Sequence, residues 1–333
     1  MKILTRVLLL SLITIFANVQ AEYVIKFSHV VAPKTPKGQA ADLFAKLVNE
    51  RLAGKVRVEV FPNSQLFNDN KVMEAIRMSS SSKTGIIAAP SLSKFVKFSR
   101  TVQAFDLPFL FNNIDDVHIL ADSPVAQDIV KPLERKGLKA LGFWDSGMKS
   151  FSIKGNNALR TIPNDFKGKK FRIQTSNVHE AMIHALGGNP QKLPFKEVYT
   201  ALGQGVVDGQ ENSWSNIYSK KFHEVQDWIT VTNHAYLGYL LIVSNEFWNK
   251  LPTEIRTELE VIIREVTIKN REFAAAADAA DRKAVEESGF AKVVELTKEE
   301  KNAWTQATKK VEAKFAKQIG KDLLIKIHQT LGH

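Results

Sequence analysis

The chain has 333 residues, with 46 lysines and arginines against 35 aspartates and glutamates, a formal net charge of +11, and no cysteine. The lack of cysteine excludes disulfide support, a Cys-ligated metal and a thiol nucleophile, so burial must supply the stability. Acidic and basic residues are interleaved, which argues against a nucleic-acid-binding stripe and for solubility with a mild attraction for anions.

The first 21 residues read as a secretory leader. Lys2 and Arg6 form a basic start, Val7 to Phe16 an apolar core, and Val19-Gln20-Ala21 a small-residue exit, with cleavage expected after Ala21. The apolar run falls short of the ~20 residues a membrane span needs, and no later stretch reaches that length, so the mature chain is not expected to span a membrane. What remains is too long for one small core and predicts two lobes of ~150 residues.

A strand is predicted over Tyr23 to His29, followed by a helix that Thr35 caps and Pro36 opens. Ala41, Phe44, Leu47, Val48 and Leu52 recur at helical spacing, and Gly54 stops the helix. Val56, Val58 and Val60 alternate with charged or polar neighbours as the next strand. Strand, helix and strand in this length make a βαβ unit and imply a parallel sheet. A helix around Lys71 to Met78 leads to a strand at Gly85 to Ala89. Helical segments near Asp115 to Ala121 and Ala126 to Lys136 precede a strand at Leu138 to Trp144.

The chain then enters a second α/β lobe. It contains a strand from Lys170 to Gln174 and a helix from the Ser176 cap to Leu186, stopped by Gly187-Gly188. A short helix from Phe195, a glycine break at Gly203 and Gly205, and a strand ending in polar residues beside Trp214 follow. A strand near Tyr239 to Ser244 returns to the first lobe, and Thr253 to Glu287 reads as one helix without Gly or Pro. At ~1.5 Å per residue it is ~50 Å long, enough to brace both lobes.

His179 and His184 mimic a zinc-protease helix, but they are five positions apart, which rotates them roughly 140° from each other. They read instead as surface or half-buried histidines. Asp208-Gly209 with Glu211 lacks calcium-loop spacing, and no phosphate-binding glycine loop or nucleophile elbow occurs. A secreted hydrolase is therefore disfavoured.

Arg172 is the leading candidate. Phe171 and Ile173 point to one face of their strand and leave Arg172 on the other, near the start of the Ser176 helix, where α/β folds bind ligands. A guanidinium there suits a carboxylate, with two parallel hydrogen bonds. On spacing alone, a structural pairing with an acidic side chain fits equally well. Lys149, in a glycine turn after a strand, reads as a second cation or as a solvated lysine. Asn212 needs partners inside an otherwise apolar strand, and Phe195 and Trp214 are core residues or the apolar wall of a pocket beside it.

Several runs carry a family likeness. They are Phe27-Ser28-His29-Val30-Val31-Ala32 with Thr35-Pro36-Lys37-Gly38, Phe61-Pro62-Asn63-Ser64-Gln65-Leu66, Ala89-Pro90-Ser91-Leu92-Ser93-Lys94-Phe95, and Asp106-Leu107-Pro108-Phe109. Lys170-Phe171-Arg172 and the block from Phe195 to Trp214, with Asp208-Gly209-Gln210-Glu211-Asn212, complete the set. In this order, behind a leader, they resemble the solute-binding subunits of tripartite ATP-independent periplasmic (TRAP) transporters, closest to the C4-dicarboxylate branch.

The resemblance implies an α/β, two-lobed periplasmic-binding-protein-like fold with hinge strands and a long bracing helix. It places residues 22–146 and about 238–275 in lobe I, and 147–237 and about 276–333 in lobe II. It implies a non-enzyme without cofactor or metal that captures succinate, fumarate or malate in the periplasm and delivers it to small and large membrane subunits. Arg172 matches the arginine that holds the carboxylate, Lys149 a second cation, Phe195 an aromatic packed on the ligand, and Asn212 a donor to it. Ser91, Trp214, Lys37 and His29 join them as ligand-facing residues. The acidic residue that sialic-acid binders place near Pro90 is missing, which disfavours a hydroxyl-rich sugar acid. Met78 to Thr84 departs from the family pattern, so the pocket rim is expected to differ there. The alternatives are another small carboxylate (a monocarboxylate or 2-oxo acid), or service to an ATP-driven importer or a sensor kinase.

Overall fold

The computed structural model describes residues 22–79 and 83–332. Its strands are β1 (Tyr23–Ser28), β2 (Val56–Phe61), β3 (Thr84–Ala88), β4 (Leu138–Met148), β5 (Ser150–Ile153), β6 (Lys170–Ile173), β7 (Asn189–Lys192), β8 (Gly209–Asn212), β9 (Trp228–Val231), β10 (Tyr236–Ser244) and β11 (Lys292–Glu295). The helices are α1 (Pro36–Arg51), α2 (Val72–Met78), α3 (Ile114–Asp122), α4 (Pro124–Val130), α5 (Asn177–Leu186), α6 (Val198–Gly203), α7 (Trp214–Ser219), α8 (Asn245–Lys250), α9 (Thr253–Ser288), α10 (Lys298–Ile319) and α11 (Lys321–Leu331). The leader and residues 80–82 of the unusual rim segment lie outside the described residues.

One sheet has the order β2-β1-β3-β10-β4 and the other β11-β9-β5-β8-β6-β7. The predicted βαβ unit opens the first, with β1 parallel to both β2 and β3. Thr35 caps α1 by accepting the Gly38 N–H, and Pro36 fills the first turn. Gly38 is required by close approach, since a Cβ there would lie 2.4 Å from the carbonyl oxygens of Ala32 and Pro33. Ile25, Phe27, Phe44 and Val48 pack with Leu259, Ile262 and Val266 of α9 into the core of this lobe. In the second lobe Phe151, Phe166, Phe171 and Trp304 form a separate cluster.

The expected helix from Ala126 to Lys136 breaks in two, as α4 and a 3-10 turn over Lys131–Lys136. Pro132 is the reason, because it cannot donate the hydrogen bond that would continue an α-helix.

The chain crosses between lobes twice. β4 runs four residues past its predicted end and passes at Lys149 into β5, while β9 returns through residues 232–235 into β10. The crossings are tied together, Lys149 N–H donating to Ala235 O (2.9 Å) and the Thr232 hydroxyl to Lys149 O (3.2 Å).

The long helix ends one residue past its predicted limit. It packs on α1 and β4 along its first half and on α7 further on. At its middle, Asn270 is fully buried; its Oδ1 accepts the Asp145 N–H (2.5 Å) and its Nδ2 donates to Asp145 O (3.4 Å). One turn earlier, Thr267 accepts the Trp144 indole N–H at 3.1 Å. Thus α9 holds β4 where that strand leaves the first lobe. The end of the chain follows a different course from the one expected. α10 runs along α5, but α11 packs on α3 and α4 of the first lobe, placing Leu324 and Ile327 in that core.

Replacing Asn270 by alanine leaves the buried Asp145 amide without its acceptor, a loss of about 1–3 kcal/mol. The melting temperature, followed by circular dichroism, should drop by several degrees. An unchanged value would remove Asn270 from the groups that hold the crossing strand.

Candidate ligand-binding site

Between the two lobes lies a cleft with a cavity of about 310 Å³. Ser91, Lys94, Tyr239 and the loop around Asp69 line it from the first lobe, and Arg172, Gln174, Phe195, Asn212 and Asn216 from the second.

Arg172 stands on β6, with Phe171 and Ile173 turned into the core, as strand alternation requires. Its side chain is 1% exposed, and its Nε and Nη2 both donate to Leu193 O at 3.1 and 2.9 Å. One edge of the guanidinium is thereby fixed, while Nη1 makes no hydrogen bond among the described residues. Burial lowers its pKa to about 10, against the opposing pull of Glu211 and Asp69. Asn212 ends β8, its Oδ1 accepting from Asn216 Nδ2 (2.8 Å) and its Nδ2 donating to Gln210 Oε1 (3.2 Å). Phe195 contributes a half-buried ring, with Lys220 Nζ over it at 5.5 Å from the centroid.

On the facing lobe Lys94 is 7% exposed, and its Nζ donates to Asn70 Oδ1 and Thr175 Oγ1, each at 3.0 Å. Burial pushes its pKa down to about 8, with Asp69 acting in the opposite direction. Ser91 accepts from Gln174 Nε2 at 2.9 Å, which joins the lobes across the cavity.

Four expected ligand-facing residues stand elsewhere. Lys149 is buried beneath the cavity floor, with Nζ 2.7 Å from Glu211 Oε2, because its place in the lobe crossing aims it at β8. The same nitrogen is 3.4 Å from Gln174 Oε1 and from His179 Nε2. Lys37 turns inward, donating to Ala89 O at 2.9 Å and covering the Tyr239 ring from 3.6 Å. His29 is buried beside Phe27, just before the cavity-lining Val30 and Val31, and burial lowers its pKa to about 3. Trp214 packs in the second-lobe core, its ring covered by the Arg282 guanidinium. Arg172, Asn212, Phe195 and Ser91 do line the cavity. Of the paired histidines, His184 is exposed, whereas His179 is fully buried rather than at the surface.

The sequence reasoning missed Lys94, Gln174, Asn216, Tyr239 and Asp69. Gln174 was within reach, since it lies two residues beyond Arg172 on the same strand face. Lys94 carried no such signal; it is a lysine in a polar run whose burial depends on the opposite lobe.

Below the cavity the charges are paired or silenced. Burial raises the pKa of Glu211 while Lys149 lowers it, and burial raises Asp106, which accepts the hydroxyls of Ser93 and Ser176 at 2.7 Å each. His179 and His234 are driven well below the ordinary histidine range by burial and by Lys149, so both are neutral.

Two α/β lobes, joined by paired crossing strands and facing each other across a cationic cleft, define a solute-binding protein. The chain belongs to family 7 of the bacterial extracellular solute-binding proteins, whose model matches residues 27–318. It is 46% identical over 300 residues to the C4-dicarboxylate-binding periplasmic protein DctP of Shewanella loihica, covering 90% of this chain and 87% of that one. Identity to the protein of the same name from Vibrio cholerae is 44%, over 91% and 89% of the two chains. Among solved structures, a TRAP periplasmic solute-binding protein from Shewanella oneidensis with bound succinate superposes with a TM-score of 0.89. That match has 41% identity and covers 93% of this chain and all of the other. One from Pseudomonas aeruginosa with bound L-malate has a TM-score of 0.83 and 41% identity, over 88% and 99%.

Because Lys94 is lowered to about 8, the free cavity loses positive charge above that pH. A bound anion raises its pKa, so binding is at full strength below about pH 8 and weakens as pH rises above it. Calorimetry with an anionic ligand should show affinity about tenfold or more lower at pH 9.5 than at pH 7.5. A flat profile would mean that Lys94 is not felt by the ligand.

Proposed function

We propose that the protein captures a C4-dicarboxylate outside the cytoplasmic membrane by closure of its lobes and delivers it to the small and large membrane subunits of a TRAP transporter. It acts by binding and release, without catalysis, in the periplasm after removal of the leader at Ala21. The observation that carries this reading is the pair of buried cations facing one small cavity from opposite lobes, Arg172 and Lys94. The open edge of the Arg172 guanidinium takes one carboxylate and the Lys94 ammonium the other. Asn212 and Asn216 sit where they can donate to the ligand, and Phe195 covers its methylene side. Anchors on both lobes make their full set of contacts only when the lobes are together, so the ligand favours the closed form. The cavity lies at the small end of the usual ligand-pocket range, as suits a four-carbon acid. The succinate and malate complexes of the similar structures support the ligand class.

Succinate, fumarate or malate should raise the melting temperature, since a ligand at ~100 times its Kd adds ~2.7 kcal/mol to stability. Shifts produced only by sugars, amino acids or sialic acid would overturn the dicarboxylate reading.

Truncating one member of a buried charge pair costs ~2–5 kcal/mol, so Arg172→Ala should weaken binding at least about thirtyfold. Arg172→Lys should also fall short of wild type, because the planar fork is lost. Lys94→Ala should weaken succinate strongly but leave the already weak binding of butyrate, a monocarboxylate of the same length, nearly unchanged. Wild-type succinate affinity in folded Arg172→Ala would refute the site.

A further inference from the structure

We propose that Asp69 makes the cavity prefer C4-dicarboxylates carrying a hydroxyl on C2 over those carrying only hydrogens there. The inference rests on the dicarboxylate reading above and assigns Asp69 as the residue that discriminates within that class.

The cavity is built mainly from donors: a guanidinium at Arg172, an ammonium at Lys94, and the side-chain amides of Asn212 and Asn216. Asp69 breaks that pattern. It lies on the loop between β2 and α2 and is the half-buried carboxylate among the lining residues, the other, Glu197, being exposed at the rim. Its charge reaches Lys37, Lys94 and Arg172, so its carboxylate shares the space where the ligand's charges must go. Among the described residues it accepts one hydrogen bond, a long one of 3.5 Å from the Ser91 N–H to Oδ2. A carboxylate has room for about four.

An acceptor with spare capacity in a closing cavity must be given a donor or lose hydration without replacement. Succinate has no donor to give. It brings two more carboxylates and leaves the Asp69 lone pairs facing methylene groups. A C2 hydroxyl lies between the two anchored carboxylates and can donate to Asp69 while the anchors stay engaged. The neighbouring Asn70 accepts from Lys94, which places the Asp69 loop beside one end of the ligand. Asp69 thus supplies the acceptor that a hydroxyl needs, and its negative charge keeps the cationic cavity from taking every dianion equally well.

The test is calorimetry on the mature full-length chain with succinate, L-malate, D-malate and methoxysuccinate, which keeps the C2 oxygen but has no hydrogen to donate. The better-fitting malate enantiomer should bind about tenfold or more tightly than succinate, the usual effect of a hydrogen bond to a charged group. Methoxysuccinate should bind no better than succinate. Asp69→Asn should tighten succinate severalfold by removing a like charge and bring malate and succinate to within about twofold of each other. Asp69→Ser is the second variant, and the methoxysuccinate comparison needs no variant. Equal binding of malate and succinate by wild type, or a uniform change for all four ligands in Asp69→Asn, would overturn the proposal alone. Failure of every C4-dicarboxylate to bind the folded protein would overturn the dicarboxylate reading and this inference with it.

Discussion

Positive charge buried between two lobes is the constraint on which the rest of the molecule depends. Lys149, Arg172, Lys94 and Lys37 are all nearly inaccessible, yet they are compensated unequally. Among the described residues, Lys149 is the one of the four with a carboxylate in direct contact, Glu211 at 2.7 Å. Arg172 leans on one backbone carbonyl, Lys94 on an amide oxygen and a hydroxyl, and Lys37 on a carbonyl and the face of an aromatic ring. Neutral oxygens satisfy hydrogen bonds without cancelling charge, which is why burial lowers the pKa of these three. The molecule stores an unbalanced cationic field in its cleft, and a small dianion is the chemical species that balances it.

One apolar cluster belongs to the first lobe and another to the second, while a third joins Val178 and Ala181 of α5 to Phe95, Phe105 and Leu120 of the first lobe; the buried cations gather where the lobes face each other. The crossing strands are bonded to one another at Lys149 and Ala235, so the residue in the crossing also sets the charge beneath the cavity. The mid-helix Asn270 and Thr267 hold β4 at the same level from behind. Support and binding site are therefore one assembly, in which the placement of the lobes sets the spacing of the cations.

The division of labour among the basic residues shows why residue type alone does not define a site. Lys149 and Lys94 are chemically the same. One is neutralised by a buried glutamate on the adjacent strand, and the other meets uncharged oxygens from both lobes. The first stabilises the floor, and the second remains electrostatically available to a ligand. Asp69 adds the complementary element, an acceptor among donors.

Local rules were enough for much of this protein. The Thr35 cap, the valine alternation of β2, the Phe171-Arg172-Ile173 alternation and the unbroken run of α9 each depend on neighbours a few residues apart, so the sequence by itself determined those elements and the outward face of Arg172. The family likeness added the two-lobed fold and brought Asn212, Phe195 and Ser91 to the cavity. Tertiary structure decided the rest. Lys149 and Lys37 turned inward, and Lys94, Asn216, Tyr239 and Asp69 turned toward the cavity, because each direction depends on a partner far away in the chain: Glu211 for Lys149, Ala89 for Lys37, Thr175 for Lys94. A lysine's fate is set by the dielectric and the oxygens around its ammonium, and those exist only where residues distant in the chain meet in the folded molecule.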